Sequence, residues 1–177
     1  MSRKNIVLIG FMGTGKTAVG RRLAWRLKRE FVDTDREIEK ITGKTIAQIF
    51  AKDGEVRFRS EEALLTKKLA AREGLVISTG GGLVLNPENA RLLGENGVFV
   101  ALKASPEVIY QRLKNKKNRP LLLKGDLKER IKTLLAEREE VYGRLAACTV
   151  DTGEVSVDEA VERIVSYLSG IGVTEQV

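Results

Sequence analysis

A single doubly wound α/β domain is the fold class this sequence predicts, and three observations carry that prediction. Short apolar runs alternate with longer amphipathic segments, the pattern of β-α units around a parallel sheet. The chain has 177 residues, a length that suits one domain and leaves little room for a second. A glycine-rich turn, Gly10-Phe11-Met12-Gly13-Thr14-Gly15-Lys16-Thr17, joins the first apolar run to the first amphipathic segment. Sheets of this class bind phosphates at such a turn.

The elements follow in order. Strands are predicted over 5–9, 31–33, 75–78, 98–102 and 148–151. The first helix is predicted over 17–29, where Val19, Leu23 and Leu27 recur four apart. Asn86-Pro87 and Ser105-Pro106 each pair an N-cap residue with a first-turn proline and open two more helices. Residues 127–145 carry an apolar stripe at Ile131, Leu134, Leu135, Tyr142 and Leu145. Ser156 with Glu159 predicts a capping box ahead of Val157, Ala160, Val161, Ile164, Val165 and Leu168. A flexible tail is expected over 169–177.

Composition removes whole classes of chemistry. The chain has no histidine, which excludes Ser-His-Asp triads and imidazole metal ligands. The single cysteine, Cys148, can form neither an internal disulfide nor a cysteine-rich zinc site. Carboxylates, Lys, Arg, backbone amides or a bound ion must do any catalytic work. The 31 Lys+Arg against 24 Asp+Glu give a net charge of +7, which suits an anionic ligand. No long basic arm is present, and five Phe, three Tyr and one Trp supply few stacking platforms, so no nucleic-acid partner is expected. No stretch approaches 18 uninterrupted apolar residues, so no membrane partner is expected either. The basic start at Arg3 and Lys4 before Ile6 loosely imitates a signal peptide. Its apolar run is short and leads straight into the glycine turn, so the cytoplasm is the expected location.

The turn at 10–17 fits G-x-x-x-x-G-K-[ST] in full and lies between a predicted strand and a predicted helix. Glycines there let several backbone N–H groups face inward, and the helix N-terminus adds positive dipole. Lys16 is placed to reach the outer phosphates of a nucleoside triphosphate, and the Thr17 hydroxyl to ligate Mg²⁺. The candidate nucleotide-binding residues are Gly13, Thr14, Gly15, Lys16, Thr17 and Ala18. The third strand ends in Ser78-Thr79-Gly80-Gly81-Gly82 with no carboxylate, so a metal-organising acid must come from elsewhere. Asp33-Thr34-Asp35 after the second strand is the candidate, one carboxylate toward the metal and the other toward a neighbouring pocket. A turn with Asp35 as a helix N-cap is the structural alternative.

Gly80, Gly81 and Gly82 form a second bare-backbone turn, suited to a small polar acceptor that a Cβ would repel. Arg138 falls on the apolar stripe of its helix, where a charge needs an anionic partner, either a buried acid or a ligand. Arg59 opens another helix, and two guanidinium groups on one pocket suit bidentate capture of a carboxylate or phosphate. The basic stretch at 114–126, containing Arg119-Pro120, suits a mobile lid that excludes water, or else a solvated loop.

Six ordered pieces resemble the shikimate kinase family over about residues 4–168. They are the turn at 10–17, Asp33-Thr34-Asp35, Phe58-Arg59 with Glu62, Ser78 to Gly82, Arg119-Pro120-Leu121-Leu122, and Glu137-Arg138 followed by Tyr142. The resemblance implies a P-loop kinase fold of the nucleoside-monophosphate-kinase type, with a five-stranded parallel sheet flanked by helices and a mobile lid. It implies ATP and Mg²⁺ as cofactors, shikimate as small-molecule partner, phosphorylation of the 3-hydroxyl, and a monomer. It also implies roles: Lys16, Asp35 and Arg119 catalytic; Thr17 and Asp33 at the metal; Asp35, Arg59, Gly80, Gly81, Gly82 and Arg138 at the acceptor; Arg112 and Arg119 at the nucleotide. Many relatives carry a basic residue near adenine between the last strand and last helix. Here Asp151-Thr152-Gly153-Glu154-Val155-Ser156 has none.

Overall fold

The computed structural model describes residues 3–116 and 125–174. Five strands form one parallel sheet in the order β2-β3-β1-β4-β5: β1 (Asn5–Ile9), β2 (Glu30–Asp33), β3 (Leu75–Ser78), β4 (Gly97–Lys103) and β5 (Cys148–Asp151). Every residue of β1 is buried, as a central strand covered on both faces requires.

The period of two sorts the strand side chains into two cores. Val7, Ile9, Leu75, Ile77, Phe99 and Ala101 face one, and Ile6, Leu8, Val76, Val100 and Leu102 face the other. The second core is closed by α1 (Lys16–Leu27) and α8 (Val157–Gly170), which pack on each other. The first lies under α2 (Thr34–Thr42), α3 (Ile46–Lys52), α4 (Gly54–Ala70), α5 (Pro87–Glu95), α6 (Pro106–Leu113) and α7 (Leu127–Leu145).

Local signals set several boundaries. Asn86 and Ser105 cap α5 and α6, each with proline in the first turn. The Ser156 side chain accepts from Glu159 N at 3.1 Å, but the reciprocal half of the expected capping box is not made, because the Glu159 carboxylate pairs with Arg163 at 2.7 Å instead. A complete capping box at Thr45 and Gln48, unforeseen from the sequence, opens α3. The first helix ends at Leu27, not Arg29, because Lys28 turns left-handed at φ 51° and the chain closes with Arg29 N to Ala24 O at 2.9 Å. Residues 169–174, expected to begin a flexible tail, are tied down. Val173 N bonds Leu168 O at 2.9 Å around Gly172 (φ 72°), and Arg29 Nη2 donates to Val173 O at 3.3 Å.

The strand order reverses direction at β1, so a crevice opens at the carboxyl ends of β1 and β3. The turns at 10–17 and 80–82 and the residues after β2 all emerge there.

Candidate active site

The turn at 10–17 gets its shape from three glycines in the left-handed half of conformational space: Gly10 (φ 144°), Gly13 (φ 79°) and Gly15 (φ 92°). Thr14 Oγ1 donates to Phe11 O at 2.7 Å and tightens the turn. Lys16 is buried, and its Nζ donates to Gly10 O at 2.7 Å and Phe11 O at 2.8 Å, so it lies across its own loop. Ala18, an exposed residue, lines the mouth of the cavity.

Thr17 Oγ1 donates to Asp33 Oδ2 at 2.9 Å, which joins the first turn of α1 to the end of β2. Asp33 Oδ1 accepts from Asp35 N at 3.1 Å and Arg36 N at 3.3 Å. The N-cap of α2 is therefore Asp33, and Asp35 sits inside the first turn, which corrects the N-cap alternative offered for Asp35. A hydroxyl and a carboxylate in contact are hard oxygen donors that fit Mg²⁺. The described residues contain no group of three or more acidic, Cys or His side chains able to cage a metal, so a cation here would need oxygen ligands beyond Thr17 and Asp33.

The second glycine turn touches a different charged group at each residue. A Cβ on Gly80 would lie 2.7 Å from Asp35 Oδ1 and 3.1 Å from Glu62 Oε1. One on Gly81 would meet Arg138 Nη1 and Met12 N, each at 3.5 Å, and one on Gly82 would sit 2.5 Å from Arg59 Nη1. The acceptor turn therefore abuts the phosphate loop through Gly81. The Gly80 N–H, expected to face a ligand, instead donates to Thr34 Oγ1 at 2.9 Å. The Gly81 and Gly82 N–H groups donate to none of the described residues.

The guanidinium groups are held by elements far apart in sequence. Arg59 on α4 pairs with Glu62 Oε2 at 2.8 Å and Glu55 Oε1 at 3.2 Å. Burial works against its charge, but these two carboxylates outweigh it and hold Arg59 above its ordinary value. Glu62 is 1% exposed, and its Oε1 has no hydrogen-bond partner among the described residues. Burial, opposed by Arg59 and reinforced by Asp35, pushes its carboxyl up to about 7. Arg138 is buried on α7, with its guanidinium 5.8 Å from the centre of the Phe11 ring. Phe58 and Phe50, ring centres 5.0 Å apart, make the apolar wall of a cavity of about 800 Å³ that also takes in Lys16, Thr17, Asp33 and Asp35.

Arg112 lines the same cavity beside the phosphate loop. It donates to Gly13 O and Thr152 Oγ1, each at 3.0 Å, and to Thr152 O at 2.8 Å, while Thr152 Oγ1 donates to Thr14 O at 2.7 Å. The two residues brace the phosphate loop from behind. Arg119 and most of the expected lid, residues 117–124, lie outside the described residues. The crevice thus gathers Lys16, Thr17, Asp33, Asp35, Arg59, the three glycines and Arg138. Sequence reasoning gave no role to Glu62, Phe50, Phe58, Tyr142 or Thr152. The i,i+3 spacing of Arg59 and Glu62 was a visible signal, but burial of the pair was not.

A five-stranded parallel sheet of order 2-3-1-4-5 with this loop after its central strand defines a P-loop kinase of the nucleoside-monophosphate-kinase type. A family model for shikimate kinase matches residues 12–169. Shikimate kinase of Pelotomaculum thermopropionicum is 73% identical over 165 residues, covering 93% of this chain and 95% of that relative. The chain belongs to the shikimate kinase family, and it is an enzyme, a kinase. The solved shikimate kinase from Acinetobacter baumannii in complex with shikimate aligns with a TM-score of 0.91 at 39% identity, over 95% of this chain and 94% of that one. A gluconokinase from Sinorhizobium meliloti shares the fold alone, with a TM-score of 0.64 at 20% identity over 96% of this chain and 93% of that one.

Proposed function

We propose that this chain transfers the γ-phosphoryl group of ATP to the 3-hydroxyl of shikimate, a step toward chorismate. The observation that carries the reading is the convergence of Arg59, Arg138 and Asp35 on one glycine turn that touches the phosphate loop. Two guanidinium groups capture a carboxylate, and Asp35 accepts a hydrogen bond from a ring hydroxyl. Gly81 and Gly82 offer N–H donors to the same ligand, and Phe50 and Phe58 cover its ring. An acceptor with one carboxylate and several hydroxyls fits that set.

Phosphoryl transfer is largely positioning plus electrostatics, so Asp35 first orients the acceptor oxygen. As that oxygen bonds to phosphorus, the bond to the ADP oxygen breaks and the hydroxyl proton passes to Asp35. Lys16 leaves the carbonyls of its own loop to meet the outer phosphates, and Arg119 in the 114–126 connection stabilises the transferred group. Thr17 would hold Mg²⁺ directly and Asp33 through water, and the ion neutralises phosphate charge when bound. Arg112, held beside the phosphate loop by Gly13 and Thr152, is the proposed adenine contact. A monomer is proposed, and no described helix is long and apolar enough to cross a membrane. The cytoplasm is the proposed location.

The test is ADP release from Mg·ATP with shikimate, gluconate, CMP or no acceptor. Shikimate alone is expected to drive release, and Asp35→Asn to lower kcat by about 10²–10⁴. Release with gluconate or CMP and none with shikimate would overturn the acceptor assignment and leave the kinase fold intact.

A further inference from the structure

Tyr142 stands one turn after Arg138 on α7, with a buried ring whose hydroxyl donates to Gly81 O. The Arg138 guanidinium lies against the same turn, its Nη1 3.5 Å from where a Cβ on Gly81 would stand. The Tyr142 hydroxyl and the Arg138 guanidinium, one turn apart on α7, therefore both meet the turn at Gly81. A trans peptide points its C=O and the following N–H in opposite directions. Holding Gly81 O toward α7 therefore aims Gly82 N–H the other way. The neighbouring peptide is pinned as well, because Gly80 O accepts from Leu83 N at 3.1 Å and so orients Gly81 N–H. Burial pushes the phenol up to about 12, against the pull of Arg138, so the donor proton is present throughout the physiological range.

We infer that Tyr142 is a positioning residue for the acceptor: its hydroxyl locks the Gly81–Gly82 peptide against α7, beside the Arg138 guanidinium. Tyr142 touches no reacting atom. Its work is to present the carboxylate-binding guanidinium and the free glycine N–H groups as one rigid surface, which lowers the ordering needed on binding. The inference rests on the acceptor reading above for its ligand, but the lock itself is a property of the unliganded chain.

Tyr142→Phe removes one oxygen and leaves the ring to fill its site. Steady-state kinetics with shikimate and Mg·ATP varied in turn should show the KM for shikimate rising about tenfold. The KM for ATP should stay within twofold, with the melting temperature close to that of the parent chain. Amide hydrogen exchange at Gly82, measured without any acceptor, should be faster in the variant while α7 amides are unchanged. Equal Gly82 exchange in the two proteins overturns the lock whatever the substrate proves to be. Both KM values rising together with a lost or sharply lowered melt would mean a purely structural bond and would overturn the inference too. A parent chain inactive with shikimate sinks the acceptor reading alone, since the exchange experiment still decides the lock.

Discussion

The phosphate loop at 10–17 and the acceptor turn at 80–82 both leave central strands at their carboxyl ends, and they touch through Gly81. Gly15 and the glycines of the acceptor turn are needed for different reasons. Gly15 takes φ 92°, and a Cβ there would meet nothing within 4 Å, so its requirement is conformational and local. Gly80, Gly81 and Gly82 show no positive φ, yet methyl groups at 80 and 82 would strike Asp35 and Arg59. Their requirement is imposed by side chains from α2 and α4. One loop is a shape the backbone adopts for a ligand. The other is a space kept clear so that charged groups can close on it.

The largest effect that tests this contrast belongs to the phosphate side. Lys16→Met should cost about 10²–10³ in kcat, as expected when one preorganised charge on a transferring group is removed. The melting temperature should hold, and kinetics with a thermal melt check both. Next is the carboxylate that braces the acceptor side. Glu62 is raised from 4.5 to about 7, so between those values the folded chain holds a proton that the unfolded chain has released. Stability should be full at the acid end of that window and fall by about 3 kcal/mol as pH rises through about 7. Melts from pH 4.5 to 8 should show that slope, and Glu62→Gln should flatten it.

The glycine substitutions sharpen the comparison directly. Gly82→Ala must push Arg59 aside, so the KM for shikimate should rise about 10- to 100-fold, matching a desolvated hydrogen bond to charge lost. Its KM for ATP should hold. Gly15→Ala meets open space and should cost about 1–2 kcal/mol in backbone strain, read as a lower melting temperature. If Gly82→Ala lost stability and kept its affinity for the acceptor, the contrast between the loops would fail. The smallest effect is at Lys28, the one non-glycine with positive φ among the described residues. Lys28→Gly should raise stability by about 0.5–1 kcal/mol with activity unchanged, because the left-handed helix end then carries no Cβ penalty.

Much of the fold was legible because its signals are local. Strands such as 5–9 and 75–78 are apolar runs with no competing period, and the proline-bearing caps at Asn86 and Ser105 name their helix starts. The end of α1 was missed because Lys28 adopts a conformation that its residue type does not advertise. The hold of Arg29 on Val173 was not legible either, because the two are distant in sequence. At the site, the phosphate loop is contiguous and could be read whole. Arg138 was legible as a charge on an apolar stripe, but the bond from Tyr142 to Gly81 beside it was not, since a tyrosine on that stripe looks like ordinary core.

What the sequence determined by itself was the catalytic vocabulary: no imidazole, a phosphate loop with its lysine and threonine, paired aspartates, and arginines in unusual places. These depend on residue type and near-neighbour spacing, which the chain carries wherever it goes. Only the tertiary structure decided which charge faces which glycine, that Asp33 caps α2 while touching Thr17, and that Glu62 is buried enough to titrate near neutrality. Those facts arise where α2, α4 and α7 meet the ends of β1 and β3, and contact and desolvation exist only once the sheet has brought those elements together.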